Sequence, residues 1–210
     1  MKKTVLILIF MIVSTAMTTA QSTDKIKGDR NVTIKQTYID DFDTIVVDGD
    51  FSIEIVYNSK PSVNVETDDN LHDIIQFEVV DGVLTFVETT RITSKKKLSI
   101  TVNYGDALKN IETKGDGEVR SLTSMELGDV TLTTSDNSRA YLNIKAKKFL
   151  YKSSGKSKTR LNLTADSTKI ELSDNSKLDA LINSKIADFD LYLRSDAVIE
   201  GSANSSVIRL

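Results

Sequence analysis

The chain has no cysteine and no tryptophan, and only one proline and one histidine in 210 residues. Without cysteine no disulfide can staple the fold, so packing and hydrogen bonds must hold it together. Lipid attachment at a cysteine behind an export leader is excluded on the same ground. With His72 as the only imidazole, zinc and copper centres lack ligands, and a Ser/His/Asp triad has a single candidate base. His72 sits beside Leu71 with no second chemical signal around it, so its expected role is structural.

Charge of one sign is also scarce. Twenty-seven basic and 30 acidic residues are mixed along the chain, for a net charge of -3. Nucleic acid needs a concentrated basic patch, and this composition argues against it as a partner. Long apolar runs are limited to Val5–Val13, nine residues preceded by Lys2 and Lys3 and followed by small residues up to Ala20-Gln21. Spanning a bilayer takes about 20 apolar residues. The layout predicts a signal peptide over 1–20, cut after Ala20, with no stable membrane span afterwards. Loss of Lys2 and Lys3 would take the net charge from -3 to -5. The expected address is outside the cytoplasm, in the periplasm or at the cell surface.

What the sequence has in abundance is a period. Leu132, Tyr151, Ile170, Phe189 and Ile208 stand 19 residues apart, and all are large and apolar. Met125, Ile144, Leu163 and Ile182 form a second column, Ala146, Ala165, Ser184 and Ala203 a third, and Ser138, Ser157, Ser176 and Ser195 a fourth. Within each repeat, alternation such as Leu161-Asn162-Leu163 and Phe189-Asp190-Leu191 predicts strands with one face inward. Ser135-Asp136-Asn137-Ser138, Ser153-Ser154-Gly155-Lys156 and Ser173-Asp174-Asn175-Ser176 are turn chemistry. The small column is expected at a second corner. A repeat of about 20 residues kept in register over several copies predicts an all-β fold, a parallel β-solenoid. An antiparallel sandwich has no reason to keep that register, and a leucine-rich repeat lacks both its consensus and a helical stripe here. Five coils stacked about 4.8 Å apart make a rod of roughly 24 Å. The final coil, ending Ile208-Arg209-Leu210, is expected to leave an open edge.

The regular coils are expected over 111–210. Residues 38–110 read as a less regular part of the same domain, with hairpins or imperfect coils closing one end. Val79-Val80-Asp81-Gly82-Val83-Leu84 is a hairpin signal. One short helix is expected near Asn70–Gln76, on Leu71, Ile74 and Ile75. Residues 21–37 read as a polar leader.

Phe42-Asp43-Thr44-Ile45-Val46-Val47-Asp48-Gly49-Asp50-Phe51-Ser52-Ile53-Glu54-Ile55 resembles the opening of the DUF2807 family, also described as an auto-transporter adhesin head GIN domain. Val63–Leu71, Val79–Leu84 and the serial Ser/Gly/Asp turns continue the likeness over roughly 40–205. The resemblance implies a β-solenoid envelope protein of a kind common in Bacteroidetes, with no catalytic residues to carry over. The acidic turn Asp48-Gly49-Asp50 departs from the small, apolar turn of the family pattern.

Several short motifs fail on context. Gly155-Lys156-Ser157 has Leu150 where a P-loop needs its first glycine, and Gly115-Asp116-Gly117 lacks the third glycine of a dinucleotide fingerprint. Ser153–Lys156 spells Ser-x-x-Lys, but in a turn. Acidic pairs at Asp40, Asp41 and Asp43, at Asp48 and Asp50, and at Asp68 and Asp69 could offer calcium its oxygen ligands. The repeat signature of calcium-binding rolls is missing, and solvated turns account for these residues. Asp116, Asp136 and Asp174 are the carboxylates that could stack along one edge for glycoside hydrolysis.

No catalytic, cofactor-binding or metal-ligating residue is assigned. The expected function is a non-enzymatic, exported envelope module of adhesion type, contacting a glycan or an envelope protein with an extended polar β surface. The alternative is a carbohydrate-active enzyme, a glycoside hydrolase or lyase, on the same scaffold.

Overall fold

The computed structural model describes residues 24–210, so the expected signal peptide over 1–20 lies outside the described residues. The first strands are β1 (Lys25–Lys27), β2 (Val32–Tyr38), β3 (Thr44–Val47), β4 (Ser52–Tyr57) and β5 (Ser62–Asp68). They are followed by β6 (Ile75–Val80), β7 (Val83–Glu88), β8 (Arg91–Ser94) and β9 (Leu98–Tyr104). The coils continue through β10 (Asn110–Thr113), β11 (Glu118–Ser121), β12 (Met125–Glu126) and β13 (Asp129–Thr134). The last four strands are long: β14 (Arg139–Ser153), β15 (Lys158–Leu172), β16 (Lys177–Leu191) and β17 (Asp196–Arg209).

These strands wind into a parallel β-solenoid of about five turns. Each coil has two faces. The back face stacks β3, β10, β13 and the second halves of β14 to β17, and the front face stacks β4, β11, β12 and their first halves. The 19-residue columns are literal. Leu132 pairs with Tyr151, Tyr151 with Ile170, Ile170 with Phe189 and Phe189 with Ile208. Leu132, Tyr151 and Ile170 are fully buried, and each such side chain contributes on the order of 1.5–3 kcal/mol by leaving water. The first column extends where the fixed period cannot find it. Ile45 and Ile111 continue the first column, but they lie 66 and 21 residues from their successors. The first gap holds an insertion between β4 and β10. The second holds two extra residues between Ser121 and Met125, because Val119 pairs with Ala140 while Met125 pairs with Ile144.

The expected second corner is present without a break in the strand. Pairing skips Lys147, Asp166, Lys185 and Asn204, one residue after each member of the small column. The chain bends there, and Ser184 Oγ donates to the Ile186 carbonyl at 2.8 Å to hold one of these bends.

The insertion closes the N-terminal end of the rod. On the front face β4 is followed outward by β9, β5 and β2, and on the back face β3 is followed by β7 and β6. Beyond β4–β9 and β3–β7 the added strands run antiparallel. Asp81 and Gly82 both take positive φ in the β6–β7 turn, as a two-residue hairpin of this twist requires. Two expectations need correction. The span read as a polar leader, 21–37, holds β1 and all of β2 but its last residue: β2 binds β5 antiparallel over its whole length, because the edge of the cap needs a partner more than it needs apolar side chains. The helix expected near Asn70–Gln76 is a single 3-10 turn at Asp69–Leu71, and Ile75 already belongs to β6. Leu71 and Ile75 are buried by the sheet closure, which overrides a short helical pattern.

Candidate functional site

The carboxylates expected to line one edge do not form a pair. The turn position with positive φ is occupied in successive coils by Gly49, Gly115, Asp136, Gly155, Asp174 and Leu193. Asp116 falls one residue later and is exposed. Asp136 and Asp174 share the position but lie two coils apart with Gly155 between them. Each carboxylate reaches back one coil and accepts a backbone N–H, Asp136 from Gly115 at 3.1 Å and Asp174 from Gly155 at 2.9 Å. The alternation of Gly and Asp lets the acid bridge coils without stacking two negative charges. A Cβ at Gly155 would stand 2.7 Å from the Asp136 nitrogen, so glycine is required between the acids.

The serine column lies just inside these turns. Ser138, Ser157 and Ser176 are fully buried. Each amide closes its own turn on residue 135, 154 or 173. Thr134 Oγ1 lies 3.1 Å from Ser157 Oγ, 2.9 Å from Ser153 Oγ and 3.0 Å from the Tyr151 hydroxyl. This is a structural hydroxyl cluster with every member satisfied, and burial pushes the Tyr151 phenol above its ordinary pKa.

His72 is nearly buried and its Nε2 stands 2.9 Å from Thr33 Oγ1. Burial, aided by Lys35, lowers its pKa against the opposing pull of Asp69 and Asp73. It lies in a groove at the capped end with Lys35, Asp73 and Phe77. Asp48 Oδ1 binds the Gly49 amide and Asp43 Oδ1 accepts from Thr44. Asp68 is buried under backbone amides. Among the described residues no three His, Cys, Asp or Glu side chains converge as a metal site would require.

Two shallow channels run along the front face. The outward column Arg120, Tyr141, Arg160, Asp179 and Val198 forms a ridge, with register partners stacked coil on coil. On one side a groove of about 450 Å³ runs between this ridge and Asn143, Asn162 and Leu181. On the other, a groove of about 350 Å³ runs along Lys158, Lys177 and Asp196. The Arg120 guanidinium lies 4.4 Å from the centre of the Tyr141 ring. Arg160 meets Asp179 at 3.4 Å, both exposed, and Arg120 meets the half-buried Glu118 at 3.2 Å. Pairs of this kind contribute little and exchange readily. The two grooves hold four cations and two carboxylates, a positive surface on a chain of net charge -3.

The back face differs. Lys152, Glu171, Asp190 and Arg209 stack in one column, and Lys169 flanks its two acids from the coil of Glu171; Lys169–Glu171 is 2.6 Å and Lys152–Glu171 is 3.7 Å. Arg209 Nε is 2.9 Å from Asp190 Oδ1, an ion contact at an angle outside hydrogen-bond geometry. The back face also carries a groove of about 480 Å³ with Lys109, Lys148 and Lys169 against Asp129; what sets the front face apart is the Tyr141 ring held among its cations. Sequence reading pointed to exposed polar ladders without placing them; only the winding brings Arg120, Tyr141 and Arg160 side by side.

Solved structures share this architecture. A putative adhesin from Parabacteroides distasonis ATCC 8503 is 23% identical with a TM-score of 0.58, covering 88% of this chain and 84% of that one. A putative adhesin from Parabacteroides merdae ATCC 43184 is 15% identical with a TM-score of 0.51, covering 88% and 99%. A structure from Parabacteroides distasonis ATCC 8503 named as a putative lipid binding protein is 15% identical with a TM-score of 0.53, covering 88% and 100%. At these identities the likeness shows the fold alone. No curated protein matches the chain. No helix among the described residues is long and apolar enough to cross a membrane. The DUF2807 family, described as "Putative auto-transporter adhesin, head GIN domain", matches residues 41–207, and the chain belongs to that family.

Proposed function

We propose that this protein is a non-enzymatic, exported cell-envelope module of adhesion type, cleaved after Ala20, whose domain over 38–210 binds an extended, acidic glycan along its front face. The observation that carries the reading is the Arg120–Tyr141–Arg160 ridge between two grooves. Guanidinium, amide and hydroxyl groups repeat there at the coil spacing of about 4.8 Å. A polysaccharide presents hydroxyls and carboxylates at repeated intervals, and a flat ladder with an excess of cations can pair with them over several sugars without a deep pocket. The family description and the names of its structural relatives support a binding role. The structural duties of Asp136 and Asp174 speak against hydrolysis, since neither acid faces a second carboxylate across a groove.

The test is a glycan array followed by calorimetry with uronic-acid and neutral oligosaccharides. Wild-type protein should prefer the acidic oligosaccharides, and the Tyr141→Ala, Arg160→Ala double variant should lose at least about tenfold in affinity, roughly 1.4 kcal/mol. Equal affinity in the double variant, or preference for neutral sugars, would remove the front face from the reading. Release of shortened oligosaccharide, abolished by Asp136→Asn or Asp174→Asn, would replace binding with catalysis.

A further inference from the structure

A second basic surface lies at the opposite end from β17, and its charges are arranged differently. Strands β1 and β8 form a two-stranded parallel annex beside the main sheet. Ile26 and Ile92 pair and turn partly inward, so Lys25 and Arg91, which also pair, project together into solvent. Residues 24–30 and 91–96 hold Lys25, Lys27, Arg30, Arg91, Lys95 and Lys96 against only Asp24 and Asp29, a net +4 where the whole chain is -3. None of these six cations makes an ion pair with a described carboxylate, whereas neighbouring Lys97 is held by Glu66 at 2.6 Å.

The arrangement is costly to the fold. Like charges directly opposite across a strand pair destabilise it, and here Lys25 faces Arg91. Arg30 holds a positive φ of 68°, a conformation side-chain-bearing residues avoid, and Lys96 Nζ reaches the Arg30 carbonyl at 3.4 Å. The annex is nonetheless fastened firmly. The buried carboxylate of Asp68 accepts the amides of Arg30 and Lys96 at 3.3 and 3.1 Å. A Cβ at Gly28 would overlap that carboxylate, so the loop is drawn tight over it. Asn70 clamps the same loop through the Asp29 amide and the Lys27 carbonyl. The nearby acids are engaged with backbone or hydroxyl groups: Asp29 with the Asn31 amide, Asp69 with Thr33 and Glu88 with the Ile92 amide. The structure therefore fixes six unneutralised cations on one small platform and keeps the local acids away from them.

We propose that this platform docks on the phosphate-bearing headgroups of an anionic lipid bilayer. A cluster of four to eight Lys and Arg residues is the usual size of a surface that recognises anionic lipid, each cation adding on the order of 1 kcal/mol near the membrane. Position in the chain favours a bilayer over a soluble anion: until the leader is cut after Ala20, the apolar run Val5–Val13 stands only eleven residues before Lys25, so the annex is the part of the described fold that meets the membrane first during export. Docked this way, the rod would stand with its capped end at the membrane and its front-face ridge directed outward. The platform and the ridge share no residue, so this inference can fail while the glycan reading stands.

The experiment is vesicle co-sedimentation of the mature chain, residues 21–210. One set of vesicles is pure phosphatidylcholine, which reports binding that does not depend on headgroup charge. The other contains one-third phosphatidylglycerol. The chain should bind the anionic set at least about tenfold more strongly, and the excess should vanish as salt rises from about 0.1 to about 1 M and the screening length shrinks from ~10 to ~3 Å. The Lys25→Gln, Arg91→Gln, Lys95→Gln variant should lose on the order of a hundredfold of the anionic preference, while Arg160→Ala keeps it. Should the triple variant unfold, Lys95→Gln alone, in an exposed loop, should still lose about fivefold. Equal binding to both vesicle types, full binding by these variants, or capture by soluble dextran sulfate with no excess on anionic vesicles would each overturn the proposal.

Discussion

Gly155 and Gly49 occupy equivalent turn positions with φ of +68° and +72°, yet their surroundings differ. Beside Gly155 a methyl group would meet the Asp136 backbone at 2.7–2.9 Å, while beside Gly49 there is open space within 4 Å. Gly49→Ala should therefore cost only the left-handed strain of about 1–2 kcal/mol. Gly155→Ala should cost about 2–4 kcal/mol, since the stacked coil must also move. Urea midpoints measure both, and equal losses would mean that the turns do not stack as described. His72 supplies a pH signature. Its lowered pKa in the folded state means that the unfolded chain binds the proton more readily. Its contribution is complete above the unfolded value near 6.5, and stability falls as pH drops below it towards the lower folded value. His72→Gln should flatten the stability profile between about pH 7 and 5; an unchanged slope would show that other groups govern it.

For a strand, what matters is where its inward positions sit in the stack. Ile170 and Ile208 belong to one column and one residue type, but Ile170 is fully buried and Ile208 is 63% exposed. Ile170→Ala should cost about 2–5 kcal/mol, as core truncations do. Ile208→Ala should cost less than about 1 kcal/mol. Chemical denaturation of the two variants checks the contrast, and a large loss at Ile208 would require something to cover β17. In the last coil Gly201 takes φ of +127°, where any side chain would strike the Ile182 carbonyl of the preceding coil. The strand thus closes onto its neighbour above the column of Met125, Ile144, Leu163 and Ile182.

The whole molecule behaves as a stack in which each coil touches only its neighbours. Removing residues 158–176 joins Ser157 to Lys177, which pairs in register with Lys158, so one full period is lost and every column keeps its partners. That shortened chain should still fold to a β-rich, cooperatively melting protein. Removing 158–175 instead shifts the following strands by one residue and turns their apolar faces to water, and it should aggregate or fail to fold. Circular dichroism and size-exclusion chromatography separate the outcomes; similar behaviour of the two deletions would deny that the period is structural. The shortened chain also lacks Arg160 and Asn162, so its glycan affinity should fall with that of the Tyr141→Ala, Arg160→Ala variant.

Residue order alone determined the coil length, the inward columns from Met125 onward, the serine-lined turns, the Asp81-Gly82 hairpin and the family. All of these depend on spacing within one or two coils, and spacing is visible in a linear chain. Ile45 and Ile111 stayed hidden because an insertion and two extra residues break the count, although the strands themselves pair without a gap. The strands within 25–38 stayed hidden because β1 and β2 are held by backbone hydrogen bonds to distant partners, and a backbone partner leaves no mark on side-chain composition. The separation of Asp136 from Asp174, the ridge of Arg120, Tyr141 and Arg160, and the meeting of Lys25 with Arg91 were decided by tertiary structure. Each depends on which residues the winding and the cap bring face to face across 19 to 66 positions.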